Sequence, residues 1–332
     1  MLSKKSKYFL TVIFIAAIGV IYQIQLINLQ NKIFYLENII RNKEQPERLV
    51  VKQYEDDIVV LYNRVPKTGS TSFVGIAYDL FKRNRYHVLH VNITANNNVL
   101  SLTNQINFVM NVTNWNTMKP ALYHGHFAYI DFNKFGAPQP LFINILRKPL
   151  DRFISYYYFV RYGDNFRPNL VRRKAGNKMT FDECVEKSLP ECDPSSIWLQ
   201  IPYFCGHAAN CWKPGNKWAL SEAKNNLVNN YFLVGVTEEL EDFIAVLELS
   251  LPRLFQGAMD YFTQSNKSHL RQTVQKILPS EETIKKIKAS TVWQMENEFY
   301  EFALDNFHYV KRHTLKNKQQ NVMYEKIRPR QS

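Results

Sequence analysis

The amino-acid sequence predicts an α/β fold in which a central parallel sheet is flanked by helices. Apolar runs of strand length resemble strands that are buried on both faces, and they occur at residues 58–65, 86–92, 141–147 and 231–237. Segments with helical patterns lie between or after these runs, at residues 70–82, 149–162 and 238–251. Because ligands of such sheets bind at the carboxyl ends of the strands, we expect the functional motifs to follow the strands.

The composition indicates a folded protein with an anionic partner. The chain has 332 residues, of which 45% are hydrophobic, and this is enough for one large core. Lys and Arg number 42 against 29 Asp and Glu, which gives a formal net charge of +13. Such a charge favours nucleic acid, an acidic membrane or an acidic polysaccharide as the partner, without distinguishing among them.

The N-terminus carries a candidate membrane anchor. Residues 8–29 are largely apolar and have roughly the length of one transmembrane helix. Lysines precede this run, in residues 1–7, and none lies within it, which favours a short cytoplasmic tail. A cleaved signal peptide is the competing interpretation, although the run is long and no convincing cleavage site follows it. A buried core helix is disfavoured because the segment is apolar on all sides.

A stem is predicted between the anchor and the globular domain, at residues 30–57. The three-and-four spacing of a coiled coil is followed by Leu26, Leu29, Ile33, Leu36 and Ile40. This pattern covers few heptads, so a plain amphipathic helix is an equal alternative. Pro46 and the charges around it indicate a linker, and the anchor would place the domain at residues 58–332 in a secretory lumen.

Glycosylation sequons agree with a lumenal domain. They occur at Asn92, Asn111 and Asn266, and we expect all three on surface loops. Such short patterns also arise by chance, so each sequon is weak evidence when it is taken alone.

The cysteines also fit an oxidising compartment. Their number is even, and they fall in one short interval, at Cys184, Cys192, Cys205 and Cys211. Three pairings are possible, and we favour the one that joins nearest neighbours, Cys184 with Cys192 and Cys205 with Cys211. A zinc site that includes His207 is the alternative, but the cysteine spacing matches no common zinc motif.

A phosphate-binding corner is predicted where the first strand meets the first helix. The stretch YNRVPKTGSTS, residues 62–72, places Lys67 and several hydroxyl residues there. A helix N-terminus suits anions because its first N–H groups are unpaired and its dipole is positive. The stretch lacks the glycine that precedes the lysine in an ATP-binding P-loop, so a kinase is the weaker alternative.

A second anion site is predicted after the strand at residues 141–147. Arg147 ends this strand, and Ser155 lies on the helix that follows. One anion at Lys67 and another at Arg147 and Ser155 fit a nucleotide that is phosphorylated at both ends. The alternative for Arg147 is an ordinary surface ion pair.

Together these motifs resemble those of sulfotransferases, and most closely the uronyl 2-O-sulfotransferase family that acts on heparan sulfate. PKTGSTS looks like the family's 5′-phosphosulfate loop, and RKPLDRFISYYY looks like its 3′-phosphate element. The resemblance extends from Tyr62 to about Phe307, through segments such as KPALYHGH, SYYYFVRYGDNFRP, WLQIPYFCGH and YFLVGVTEELEDF. It implies a P-loop-like sulfotransferase fold and transfer of sulfate from 3′-phosphoadenosine 5′-phosphosulfate (PAPS) to the 2-hydroxyl of a uronic acid, mainly iduronate.

The family also implies a location and partners. Its members are single-pass type II proteins of the Golgi membrane and form homotrimers, and their substrate is the polysaccharide heparan sulfate. Other heparan sulfate-modifying enzymes are further candidate partners. Nucleic-acid binding is disfavoured by the lumenal location.

The resemblance assigns catalytic roles to three residues. His124 would be the general base and His126 a supporting residue, because a sugar hydroxyl needs a proton acceptor. If this segment is a strand, both side chains point to the same side. Lys67 would stabilise the charge that develops on the leaving oxygen, and no metal is implied. Without the resemblance, a pair of buried structural histidines is equally compatible with the residues.

The cofactor contacts implied by the family fall in three segments. The 5′-phosphosulfate loop comprises Lys67, Thr68, Gly69, Ser70, Thr71 and Ser72. The 3′-phosphate would bind Arg147 and Ser155, and a further loop contributes Phe262, Ser268, Thr273 and Lys276. Gly69 stands where the family has alanine and Lys148 where it has aspartate, and neither difference touches a reacting group.

The substrate contacts implied by the family are mostly basic, and they are Arg64, His90, Asp164, Arg167, Arg172 and Arg271. Several belong to a basic run at residues 161–178, where guanidinium groups match carboxylate and sulfate geometry. The alternative for this run is a solvated loop. Besides the leading function, a dermatan or chondroitin uronyl 2-O-sulfotransferase, a P-loop kinase and a non-catalytic heparin-binding lectin remain as alternatives.

Overall fold

The computed structural model describes residues 57–92, 98–264, 273 and 275–320, with the backbone alone at residues 316–320. The chain divides into two units, residues 1–52 and 53–332, and all the described residues belong to the second. Several predicted features lie outside the described residues: the anchor, nearly all of the stem, Asn266, Ser268 and Arg271. In the part of the chain that is described, no helix combines the length and apolar character needed to cross a bilayer.

A five-stranded parallel sheet forms the centre of the fold. Its strands are β1 (Val59–Asn63), β2 (His87–Val91), β3 (Ala121–Gly125), β4 (Leu141–Leu146) and β5 (Tyr231–Val236). Their order in space is β2-β3-β1-β4-β5, so β1 lies in the middle and pairs with β3 and β4. The predicted central parallel sheet is confirmed.

One of the five strands, β3, was absent from the four strands predicted by apolar runs. Its sequence, ALYHG, includes a histidine and a glycine, and these weaken the pattern of a buried strand. Pairing on both sides, with β1 and with β2, stabilises it in the sheet.

Helices flank the sheet. Their bounds are α1 (Ser70–Leu80), α2 (Leu102–Asn114), α3 (Pro149–Tyr162), α4 (Phe181–Glu186), α5 (Gln200–Cys205), α6 (Lys217–Asn230), α7 (Leu240–Ser250), α8 (Pro252–Phe255), α9 (Ala258–Gln264), α10 (Glu281–Lys288) and α11 (Thr291–Gln320). Helix α3 has the predicted bounds, whereas α1 and α7 are shorter than predicted. Residues Thr237–Glu239, predicted as part of α7, instead form a turn of 3₁₀ helix after β5.

Local sequence explains why α3 begins and ends where it does. Pro149 stands at its start, where a missing N–H costs nothing, and Asp151 lies in its first turn, where the helix dipole favours an acid. Phe153, Ile154 and Tyr157 face the interior and are buried. The helix stops at Gly163, whose φ of 75° is not helical.

A buried polar network locks the carboxyl end of β1. The Asn144 side chain donates from Nδ2 to the backbone oxygen of Asn63 at 2.8 Å and to its side-chain oxygen at 3.0 Å. The hydroxyl of Tyr231 donates to the same side-chain oxygen at 3.0 Å. Because these groups are buried and mutually satisfied, they fix β1 to β4 and β5 immediately before the phosphate loop.

The favoured disulfide pairing is confirmed. Cys184 is bonded to Cys192 and Cys205 to Cys211, so all four cysteines are used and none remains as a zinc ligand.

The prediction that the sequons lie on loops is wrong for one of them. Asn92 is exposed directly after β2, as expected. Asn111 is exposed but lies on helix α2. The reason is that Phe108, Val109 and Val112 bury one face of this segment and so stabilise a helix.

A buried glutamate joins the long helix α11 to the start of α5. The Glu296 carboxylate accepts backbone hydrogen bonds from Leu199 at 2.8 Å, Ile201 at 3.1 Å and Gln200 at 3.3 Å. Burial raises the pKa of Glu296, and the nearby Arg152 charge opposes that rise. Arg152 is itself buried and donates to the Ile197 oxygen at 2.7 Å.

Glu296→Ala should therefore destabilise the domain strongly. We expect a loss of about 3–5 kcal/mol in the free energy of unfolding, because three N–H groups lose their acceptor and a buried arginine loses its balancing charge. The control is Glu298→Ala, which removes a 58% exposed carboxylate paired with Lys224 and should cost less than about 1 kcal/mol. Chemical denaturation measures both variants, and equal losses would contradict this role of Glu296.

Candidate active site

The phosphate loop connects β1 to α1 through two residues with left-handed backbone. Lys67 has φ of 69° and Gly69 has φ of 75°. The Thr68 hydroxyl lies between them and donates to the Val65 oxygen at 2.9 Å, so the loop folds back on itself. Glycine suits the conformation at residue 69, where the family pattern has alanine. The loop leads into the N-terminus of α1, which begins three residues after Lys67 and carries the positive end of the helix dipole.

Three predicted cofactor residues meet at the Lys67 side chain. Its Nζ donates to Thr273 Oγ1 at 3.0 Å. The same hydroxyl lies 3.3 Å from Ser155 Oγ on α3. Lys67, Ser155 and Thr273 are far apart in sequence, so their convergence supports the predicted anion site.

Arg147 contacts the Lys67 backbone, and its own backbone is held firmly. Gln200 accepts from its N–H at 3.0 Å and donates to its oxygen at 2.9 Å. The Arg147 guanidinium donates to the Lys67 oxygen at 3.2 Å. Burial and the Arg147 charge lower the pKa of Lys276, which places a second predicted cation near Arg147. Two like charges held together in this way favour an anion between them.

His124 is the buried member of the histidine pair. It lies in β3, where Tyr62 of β1 and His90 of β2 are its register partners, and it is 3% exposed. Its Nε2 is 3.1 Å from the Tyr78 hydroxyl, and its Nδ1 is buried without a hydrogen-bond partner. The His90 ring stacks on it with 5.0 Å between ring centres.

The electrostatic surroundings keep His124 neutral. Burial lowers its pKa to about 3, and the charges of Arg64, His90 and His126 act in the same direction. A neutral imidazole can accept a proton, so the arrangement suits a general base.

His126 lies one residue beyond the end of β3, so only His124 belongs to the strand. Its Nδ1 donates to the backbone oxygen of Arg64 at 2.7 Å. The Arg64 N–H in turn donates to the Gly125 oxygen at 2.7 Å. These bonds tie the start of the phosphate loop to the histidine segment.

Several predicted substrate residues lie close to this pair. Burial, and then the charges of Arg64 and Arg167, lower the pKa of His90, so both arginines are near the histidines. Arg167 is exposed. Its N–H donates at 2.9 Å to Asp164, a buried carboxylate that also accepts from Arg172 Nη2 at 3.3 Å.

The basic run at residues 161–178 is only partly solvated. The Arg172 side chain is 11% exposed. Arg161 is buried and pairs with Glu191 at 2.6 Å, and Lys174 contacts the same carboxylate. Two of the cations in this run therefore stabilise the loop itself.

The remaining predicted residues are placed less directly. Phe262 is buried in α9, and its cofactor role stays a prediction. The roles of Ser268 and Arg271, which lie outside the described residues, also stay predictions.

Among the residues that are described, no cluster of three or more His, Cys, Asp or Glu side chains is arranged to hold a metal ion.

Three residues in or beside the site were missed by sequence reasoning. Tyr78 contacts His124, Gln200 holds the Arg147 backbone, and the Phe159 ring lies beneath Lys67 Nζ at 4.3 Å. Phe159 and Gln200 belong to segments that carry the family resemblance, SYYYFVRYGDNFRP and WLQIPYFCGH, whereas Tyr78 carried no such signal.

Known proteins with similar sequences are sulfotransferases. The sulfotransferase family matches residues 53–303. The chain is 63% identical over 281 residues to a heparin sulfate O-sulfotransferase of Drosophila melanogaster, covering 83% of this chain and 80% of the relative. It is 56% identical over 293 residues to heparan sulfate 2-O-sulfotransferase 1 of Gallus gallus, covering 86% and 82% respectively. The human protein of the same name is 55% identical over 284 residues, covering 83% and 80%.

The pKa of His124 gives a pH prediction. Its folded-state value of about 3 lies below the ordinary value of 6.5, so the imidazole should remain neutral at pH 5 while an unfolded histidine is charged. This difference contributes stability above pH 6.5 that is lost as the pH falls toward 3. Arg64→Ala should raise the pKa, because one repelling charge is removed.

Histidine-selective ¹⁵N NMR measures this titration in the wild type and in Arg64→Ala. A wild-type His124 resonance that titrates near pH 6.5 would contradict the account of its surroundings.

Proposed function

Because the chain belongs to the sulfotransferase family, we propose that it transfers sulfate from PAPS to the 2-hydroxyl of uronic acids, mainly iduronate, in heparan sulfate. One observation carries the proposal: the neutral, buried His124 lies in the strand next to β1, and β1 leads directly into the Lys67 loop. A proton acceptor and a phosphate site thus share one edge of the sheet. The relatives are named as heparan or heparin sulfate sulfotransferases, and this supports the acceptor.

The donor fits the two anion sites. The 5′-phosphosulfate would bind the loop of residues 67–72 and the N-terminus of α1. The 3′-phosphate would bind Arg147, Ser155 and Lys276, since Arg147 and Lys276 lie close enough for the Arg147 charge to lower the pKa of Lys276, although Asp151 acts in the opposite direction. PAPS supplies the sulfuryl group, and the residues of this chain bind and orient it.

His124 then acts on the acceptor. Its Nε2 takes the proton of the uronic acid 2-hydroxyl as that oxygen attacks sulfur, and the bond from sulfur to the 5′-phosphate oxygen breaks. For Nε2 to hold a lone pair, the hydrogen of the neutral ring must be on Nδ1, so the Tyr78 hydroxyl donates to Nε2 in the free enzyme. The acceptor hydroxyl replaces Tyr78 in this hydrogen bond.

Lys67 balances the charge of the leaving group. As the sulfur–oxygen bond breaks, negative charge builds on the 5′-phosphate, and the ammonium beside it becomes more favourable. The Thr273 hydroxyl holds this ammonium in place at 3.0 Å.

The acceptor would be bound by the basic residues around His124. Arg64 and His90 lie near His124, and Arg167 lies near His90. Arg172, which pairs with Asp164, adds a further cation. Their guanidinium groups match the carboxylate and sulfate groups of heparan sulfate. Arg271 would add a further contact.

The proposal includes a cellular setting. We place the catalytic domain in the Golgi lumen, anchored by residues 8–29 as a type II membrane protein, and we expect a homotrimer. The two disulfides and the exposed sequons at Asn92 and Asn111 are compatible with that compartment.

The direct test is transfer of ³⁵S from labelled PAPS to 2-O-desulfated heparan sulfate, followed by disaccharide analysis. The proposal expects label at position 2 of iduronate. Label only on the amino sugar, or transfer only to dermatan sulfate, would contradict it.

Nucleotide binding gives a separate prediction. At one hundred times its Kd, 3′,5′-bisphosphoadenosine should stabilise the domain by about 2.7 kcal/mol without added metal. Arg147→Ala should reduce this protection, whereas the exposed neighbour Lys148→Ala should retain it. Thermal unfolding measures all three proteins, and protection by Mg-ATP alone would favour a kinase instead.

Loss of the base should separate catalysis from binding. His124→Ala should slow single-turnover transfer by about two to four orders of magnitude, the usual contribution of a positioned proton acceptor. Heparan sulfate affinity should stay close to wild type, because it rests on many arginines. His87→Ala, an exposed histidine at the opposite end of β2, is the matched control. Near-normal turnover in His124→Ala would refute the mechanism.

A further inference from the structure

The ring of Phe159 lies against two functional cations at once. Lys67 Nζ is 4.3 Å from its centre, and the guanidinium carbon of Arg172 is also 4.3 Å from it. Both distances are within the range of cation–π attraction. One aromatic side chain therefore contacts the residue assigned to the leaving group and a residue assigned to the acceptor.

Helix α3 presents this ring on the face that carries the donor site. Ser155 and Phe159 are spaced four residues apart, so they lie on one side of the helix, which ends before Gly163. Ser155 reaches Thr273 at 3.3 Å. A side chain at Gly163 would place its Cβ 3.1 Å from Arg172 Nε, so glycine leaves room for the guanidinium beside the ring.

The residues around the Phe159 ring contact one another in a closed ring that includes both cations. Lys67 donates to Thr273 at 3.0 Å, and Thr273 pairs with Asp164 through a backbone bridge. Asp164 accepts from Arg172 at 3.3 Å, and Phe159 completes this ring of contacts between Arg172 and Lys67. The two cations are thus linked by two sets of contacts, one polar and one aromatic.

We propose that Phe159 is a positioning residue that holds the Lys67 ammonium and the Arg172 guanidinium in register, so that donor and acceptor are aligned for transfer. This rests on the proposed function. Lys67 and Arg172 repel each other, and the negative face of the ring offsets that repulsion without forming a hydrogen bond that must be broken during reaction. An acidic residue at this place would instead pair with the cations and weaken their hold on anionic substrates.

The role is tested by replacing Phe159 with phenylalanines carrying one, two, three and five fluorines. Fluorination weakens the negative face of the ring stepwise while largely preserving its shape. We expect kcat to fall and the acceptor KM to rise in step, each by about three- to tenfold across the series. The same series at Phe153, a buried ring on α3 that contacts Phe181 edge-on, is the matched control and should leave both parameters unchanged.

The same series in the Arg172→Ala enzyme separates the effect of the ring on Lys67 from its effect on Arg172. In Arg172→Ala, the series should still lower kcat through Lys67 but should no longer change the acceptor KM. Unchanged kcat and KM across the Phe159 series in an active wild-type enzyme would refute this role, as would equal effects at Phe153. A wild type that transfers no sulfate would instead refute the proposed function.

Discussion

The site depends on the parallel pairing of β1 with β3. Tyr62 and His124 are register partners, so the strand that carries the histidine ends at the same edge as the strand that leads into the phosphate loop. β2 adds His90 from the other side by the same rule. A slip of one residue would turn His124 to the opposite face of the sheet, so register defines the site as much as residue identity does.

Positive charge bears on both the proposed anion sites and His124. Arg147 and Lys276 favour an anion between them, and Arg64 and Arg167 surround the histidines. Burial, and then the charges of Arg64, His90 and His126, disfavour a positive charge on His124. These surroundings therefore keep the His124 imidazole in the neutral form that can take up a proton, while making that uptake less favourable. A carboxylate beside His124 would stabilise the imidazolium and so strengthen the base.

Sequence patterns predicted the parts of the site that are contiguous along the chain. The Lys67 loop and Arg147 follow clear strands, so their edge of the sheet could be predicted from the strand rule. Tyr78 is 46 residues from its partner His124, and Gln200 is 53 residues from its partner Arg147. A tyrosine or glutamine in a helix gives no local signal of such a distant contact. β3 was absent from the strands predicted by apolar runs because its sequence, ALYHG, includes a histidine and a glycine.

The central claim is that one sheet edge aligns the base, the donor and the acceptor. A crystal structure of the lumenal domain with 3′,5′-bisphosphoadenosine and a heparan sulfate oligosaccharide tests this claim most directly. The account predicts a uronic acid 2-hydroxyl within about 2.6–3.2 Å of His124 Nε2, with the 5′-phosphate beside Lys67 and the 3′-phosphate beside Arg147. An oligosaccharide whose nearest hydroxyl to His124 belongs to an amino sugar, or a nucleotide bound away from Lys67, would contradict it.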